Sequence, residues 1–153
     1  APLADQAEAL GIFGHGFTYS AHPVCAAVAL RAQQLMQERN IVAHVRSISL
    51  EFHEHVQSMG QYDFIGNARS VGLIGGMEFT ADKQSHRKFD VSHKIAAQAV
   101  TIIQRHGVIL RALPGDIIGF CPPLIISGSE LHDMFVRVHA AMEEVADLAK
   151  NLQ

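Results

Sequence analysis

His15-Gly16-Phe17-Thr18-Tyr19-Ser20-Ala21-His22-Pro23 is a short polar stretch that runs directly into the Ala-rich segment Val24-Cys25-Ala26-Ala27-Val28-Ala29. Pro23 suits the first turn of a helix, where its missing N–H costs nothing and its fixed φ is already helical. The free N–H groups and positive dipole end of such a turn favour a phosphate or a carboxylate. A hydroxyl, Thr18, sits at the centre of the loop, with His15 and His22 beside it to orient it. The expectation is a loop and helix start that hold an anion. The plainer alternative is that Thr18 and Ser20 only cap the helix while Phe17 packs in a core.

Pro23 to Arg39 is rich in Ala and Leu and free of Gly, which predicts a helix closing near Asn40. Asn40 is placed to cap a second helix in which Ile41, Val45, Ile48, Phe52, Val56 and Met59 recur at steps of three and four, with Gly60 as its stop. Phe64-Ile65-Gly66, Ala68 to Val71, and Leu73 to Phe79 read as two adjacent strands, with a bulge or close backbone approach at Gly75-Gly76. Ala81 to Lys88 is polar and predicts an exposed loop. Asp90 stands as N-cap of a third helix that carries Val91, Ile95, Ala99, Ile102 and Ile103 and closes at Gly107.

Val108-Ile109-Leu110 and Ile117 to Phe120 are expected to be short antiparallel strands joined through the turn Leu113-Pro114-Gly115-Asp116. Ser127-Gly128-Ser129-Glu130 has the spacing of a capping box. It opens a last helix with Leu131, Phe135, Val138, Met142, Val145 and Leu152 along one stripe, while Glu143, Glu144, Asp147 and Lys150 face water. The order α, α, β, β, α, β, β, α predicts an α/β chain of the α+β kind, a small antiparallel sheet covered by helices on one face.

With 153 residues of which 48% are hydrophobic, the chain holds enough apolar material for one core and a short appended arm. A net charge of −3 gives no basic field for nucleic acid, and the Lys and Arg residues are scattered. Cys25 and Cys121 form neither a disulfide framework nor a Cys-x-x-Cys pair, so a reducing, cytoplasmic setting is expected. No apolar run is long enough to span a membrane, and Ala1 to Gln6 lack the order of a signal peptide.

Three blocks taken in order resemble the carboxy-terminal portion of class III aminotransferases, which use pyridoxal 5'-phosphate (PLP). The first is Phe13-Gly14-His15-Gly16-Phe17-Thr18-Tyr19-Ser20-Ala21-His22-Pro23-Val24-Cys25-Ala26-Ala27. The second is Val71-Gly72-Leu73-Ile74-Gly75-Gly76-Met77-Glu78. The third joins Leu110-Arg111-Ala112 and Gly115-Asp116 to Pro122-Pro123-Leu124-Ile125-Ile126. The wording of the first block is similar to the branch that moves amino groups from ω-amino acids or amines to pyruvate. In branches acting on ornithine or 4-aminobutyrate that stretch typically ends in Gly-Asn-Pro.

The resemblance implies the carboxy-terminal domain of a fold-type I PLP-dependent transferase. Residues 1–39 would be an arm and helix from the end of the large PLP-binding domain, and 40–153 the small domain. It implies a fragment of a homodimer with a shared active site, in which Thr18 gives its hydroxyl to the PLP phosphate of the other subunit. Phe17 and Gly16 would line that cofactor pocket, with Phe17 facing the substrate. Arg111 would hold the substrate carboxylate through two parallel hydrogen bonds, and in amine-accepting relatives this side chain swings aside. Leu113-Pro114 stands between Ala112 and Gly115, a departure from the family wording that would alter how Arg111 is aimed. The partners implied are a small amino donor and a 2-oxo acid.

No catalytic residue of that chemistry is expected within the chain. The Schiff-base lysine, the acid that pairs with the pyridine nitrogen and the aromatic that stacks on the ring all precede Ala1 in the family. Lys83, Lys88, Lys94 and Lys150 each read as solvated, so the chain alone should be inactive. A metal is not expected, since His53 and His55 point to nearly opposite sides of a helix and His132 and His139 lack a third ligand. His106 reads as a cation at a helix end, and Cys25 as buried. Two further readings stay open: other PLP chemistry on the same fold, such as decarboxylation, racemisation or an amino shift, and a stand-alone α+β binding module.

Overall fold

A computed structural model describes residues 5, 6, 11 and 16–153. His15, and Phe13 and Gly14 before it, lie outside the described residues. The chain divides between Arg39 and Asn40 into two compact units.

In the first unit, helix α1 spans Pro23–Glu38 with Pro23 in its first turn, as the sequence predicts. None of its residues is buried. Cys25 is exposed, against the expectation of burial, and among the described residues nothing covers that face. An ion pair between Arg31 and Glu38, at 2.7 Å, runs along its surface.

The second unit begins at Asn40, whose backbone is left-handed at φ 49°. Asn tolerates that conformation better than most residues. The Asn40 side chain makes no capping bond, so the expected cap is absent; its backbone carbonyl instead accepts from the His44 N–H at 3.1 Å. Helix α2, Ile41–Ser58, follows, and its stripe faces the core: Ile41, Phe52 and Val56 are buried, with Val45 and Ile48 half-buried.

Strands β1 (Ile65–Val71), β2 (Ile74–Phe79), β3 (Arg111–Leu113) and β4 (Ile117–Phe120) make one antiparallel sheet in the order β1-β2-β4-β3. Val108-Ile109-Leu110 was the expected strand; the paired residues are three places later. Val108 is buried against the core instead. The register irregularity falls between Ile65 and Asn67, at Gly66, and not at Gly75-Gly76. The extra residue lets Ile65 and Ala68, three apart, both point inward, which unbroken alternation forbids. Gly75 serves the other expected purpose, since a Cβ there would lie 2.9 Å from Val56 and 3.1 Å from the Phe52 ring. α2 can approach the sheet only because that Cβ is missing.

Asp90 caps a single 3-10 turn, Val91–His93, by accepting the Ser92 N–H, and helix α3 starts later, at Ile95–Arg105. Its N-cap, Lys94, makes no side-chain cap; Asp116 of the β3–β4 turn accepts the Ala96 N–H at 3.4 Å. Helix α4, Gly128–Asn151, opens on the full capping box, with Ser127 and Glu130 satisfying each other's backbone donors. Its buried stripe includes Leu131, Phe135, Val138, Met142 and Val145. Phe135 stacks on Phe120 of β4 with ring centroids 5.4 Å apart.

Alternation thus divides the sheet into two faces. Met77, Phe79, Ile118 and Phe120 point into the core beneath the helices. Arg69, Gly76, Glu78, Arg111, Leu113, Ile117 and Gly119 lie on the opposite face, which no helix of this unit covers among the described residues.

Candidate functional site

The polar loop folds as a tight turn. Ser20 N–H donates to the Phe17 carbonyl at 2.9 Å, and the Phe17 N–H donates to the Ser20 hydroxyl at 2.9 Å. The Ser20 oxygen is thereby used inside the loop, and the Thr18 hydroxyl makes no hydrogen bond among the described residues. Gly16, Phe17 and Thr18 are all exposed, so Phe17 is not a core residue. Ala21 takes a left-handed backbone at φ 60° and His22 turns the chain into α1 without a side-chain cap. The N–H groups of Val24 and Cys25 therefore have no partner within the helix. The Thr18 hydroxyl and the uncapped helix start each offer donors of the kind an anion takes.

Arg111 belongs to the second unit. It is the first residue of β3 and faces the open side of the sheet. Register places it in a transverse row: Arg69 opposite Gly76, Gly76 opposite Gly119, Gly119 opposite Arg111. The two guanidinium groups that end this row differ. Arg69 bonds to Glu78 and Asn67, each at 3.2 Å, whereas Arg111 has no anionic partner among the described residues. Hydrogen bonding from Lys88, opposed by burial and assisted by Arg69, holds the Glu78 carboxyl below its ordinary range.

Arg111 also edges a cleft of about 710 Å³ bounded by Val108 to Arg111, Gly119, Cys121 and, from α4, Glu130, Asp133, Met134 and Arg137. Arg137 is tied to Asp133 at 2.7 Å, which leaves Arg111 as the cation of this cleft without a carboxylate beside it. A planar, permanently charged fork in that position can take a carboxylate in bidentate fashion. The sequence reading tied Leu113-Pro114 to the aim of Arg111, but the transverse row of Gly76 and Gly119 escaped it. Gly76 and Gly119 stand out in β-prone runs, but their alignment depends on register, which no local pattern reveals.

The lysines are occupied or exposed. Lys83 donates to the Gly60 carbonyl at 2.6 Å, Lys88 pairs with Glu78, Lys150 lies 3.6 Å from Asp147, and Lys94 is exposed. Among the described residues no three His, Cys, Asp or Glu side chains converge as a metal site. His106 Nε2 lies 2.8 Å from a Glu144 carboxylate oxygen at the end of α3. No described helix is long and apolar enough to cross a membrane.

The family model of class III aminotransferases matches residues 3–142. A chloroplastic gamma-aminobutyrate transaminase 3 from Solanum lycopersicum is 36% identical over 99% of this chain and 29% of its own length. A solved transaminase with L-alanine matches with a TM-score of 0.80 and 36% identity, over 96% of this chain and 34% of its own. The pyridoxamine-phosphate-bound form of an aminotransferase from Vibrio fluvialis matches with a TM-score of 0.79 and 30% identity, over 94% of this chain and 31% of its own. The α/β fold with its small antiparallel sheet is thus that of PLP-dependent transaminases. The chain belongs to the class III aminotransferase family, and it spans about a third of the length of these relatives.

That membership sets aside an unrelated binding module. The chain's relatives include an enzyme named for gamma-aminobutyrate. The residues present suit one end of the family's cofactor: Thr18 and the helix start are donors for a phosphate, while Lys83, Lys88 and Lys150 are engaged with Gly60, Glu78 and Asp147 and Lys94 lies exposed beside the β3–β4 turn.

Proposed function

We propose that this chain is the carboxy-terminal part of an aminotransferase that moves an amino group from an ω-amino acid or amine to pyruvate or a similar 2-oxo acid. Residues 1–39 are the end of the large PLP-binding domain and 40–153 the small domain. The enzyme acts as a homodimer in which Thr18 of one protomer donates its hydroxyl to the cofactor phosphate held by its partner. Gly16 allows close backbone approach there, and Phe17 lines the pocket on the substrate side. When bound, the cofactor supplies the electron sink that makes amino-group transfer possible.

The protein's own residues bind and orient. Arg111 grips the substrate carboxylate and so fixes the angle of the bond that loses its proton. The observation that carries this reading is the exposed Arg111 guanidinium, unpaired over its cleft. The relatives agree with it: 4-aminobutyrate is an ω-amino acid, and L-alanine is the aminated form of pyruvate. Two free thiols, Cys25 and Cys121, suit a reducing compartment such as the cytoplasm. Assaying the full-length enzyme with pyruvate against β-alanine-like donors and a simple amine tests the reading. Turnover with pyruvate is expected; decarboxylation or racemisation without net amino transfer would replace it.

A further inference from the structure

Arg111 and Leu113 are neighbours on one face of β3, and both stand beside Gly119. Gly119 is the direct cross-strand partner of Arg111, with no side chain of its own. A Cβ built on it would lie 3.1 Å from Leu113 Cδ1 and 3.7 Å from Leu113 Cγ, with the Arg111 backbone carbonyl next at 3.8 Å, so the nearest side chain is that of Leu113. The space over Gly119 is therefore held by the Leu113 side chain, reaching diagonally across the hairpin. An arginine opposite a glycine would otherwise lay its apolar stem on the bare backbone and bury it there. With Leu113 in that place, the Arg111 stem has no shelf to rest on, and its guanidinium stays exposed over the cleft.

We propose that Leu113 is a positioning residue for Arg111: by filling the shelf over Gly119 it keeps the guanidinium extended and so sets the preference for donors that carry a carboxylate over uncharged amines. The inference rests on the reading of Arg111 as the carboxylate grip. It goes further by naming what decides how often that grip is presented. A side chain divided between an extended and a folded position binds a carboxylate in proportion to the extended fraction. Shrinking Leu113 opens the shelf, lowers that fraction and clears the cleft for an uncharged substrate end.

The test uses the full-length enzyme with a carboxylated ω-amino donor and a matched amine lacking the carboxylate. Leu113→Ala is expected to raise KM for the carboxylated donor about fivefold with kcat nearly unchanged, and to raise kcat/KM for the amine. Leu113→Met should behave like the parent enzyme. Gly119→Ala added to Leu113→Ala puts a methyl group back on the shelf and should return the preference toward that of the parent. A merely structural role would lower both activities together and would not be rescued from the opposite strand. Arg111→Ala separates the two readings. If it raises KM for the carboxylated donor while Leu113→Ala leaves the preference unmoved, the role of Leu113 is overturned alone. If Arg111→Ala leaves that KM unmoved, both are overturned.

Discussion

The Tyr62 hydroxyl lies 2.8 Å from His139 Nδ1, and the other ring nitrogen of His139 lies 3.2 Å from Ser58 Oγ. Ser58 donates its one proton to the His55 carbonyl at 2.7 Å. Ser58 Oγ must then accept from His139 Nε2–H, and Nδ1 must accept from Tyr62. That arrangement belongs to neutral His139; protonation would make Nδ1 a donor, reversing its bond with Tyr62 and setting it against the Gln61 amide at 3.5 Å. Burial first, and the nearby His55 second, lower the His139 pKa; burial, and then Glu143, raise that of Tyr62.

A group whose folded pKa is depressed favours the folded state above its unfolded value and loses that contribution as pH falls. Stability of the 153-residue chain should therefore be full above the ordinary histidine value of 6.5 and decline as pH drops below it. The carboxylates held by ion pairs, Glu78 and Glu144, lose theirs only below 4.5, so the windows separate. Urea midpoints followed from pH 7.5 to 5.5 should fall in the parent chain and flatten in His139→Gln. Tyr62→Phe should cost about 1 kcal/mol at neutral pH by removing the shorter of the two bonds to Nδ1 and leaving only the Gln61 amide at 3.5 Å.

Gly75 and Gly76 are adjacent and should respond in opposite ways. Alanine at Gly75 must displace Val56 and Phe52, which are both fully buried, and overpacking of this kind costs about 1–3 kcal/mol. Alanine at Gly76 meets Ile117 only at 3.5 Å, an ordinary contact on the open face. Its effect should stay within about 0.5 kcal/mol. Equal midpoints for the two variants would contradict the assignment of faces.

Ser127→Ala removes the hydroxyl that accepts the Glu130 N–H at the start of α4. Loss of such a cap costs about 1 kcal/mol, and Ser127→Asp should restore most of it. Thermal unfolding of the three proteins under one condition decides this.

Thr18→Ala in the full-length enzyme should weaken cofactor retention about tenfold, the scale of one hydrogen bond to a charged group. Thr18→Ser should retain it, because the hydroxyl remains. Measured apart from the rest of the enzyme, residues 1–153 should take up no PLP onto a lysine. A borohydride-fixed adduct at Lys83, Lys88, Lys94 or Lys150 would count against this.

Most elements were legible because their signals are local. The α2 and α4 stripes, Pro23 in the first turn of α1 and the Ser127–Glu130 box are each written within a few residues. The misplacements came from tertiary competition. Asp90 serves only a 3-10 turn because Asp116, brought from the distant hairpin, takes over the start of α3. The bulge moved to Gly66 because Ile65 and Ala68 both have core to fill, a demand set by the partner strand. Motif wording alone nominates Arg111 and Thr18 as candidates. It does not reveal the shelf at Gly119, which exists only once β3 and β4 are in register.

The alternation along β3 and β4 has an evolutionary corollary. Residues that hold the fold together, Ala112 and Ile118, interleave one by one with residues that meet the outside, Arg111, Leu113 and Gly119. Mutation can rewrite the second set while the first stays untouched. A lineage can therefore acquire new chemical tastes through single exchanges on this hairpin without passing through unfolded ancestors.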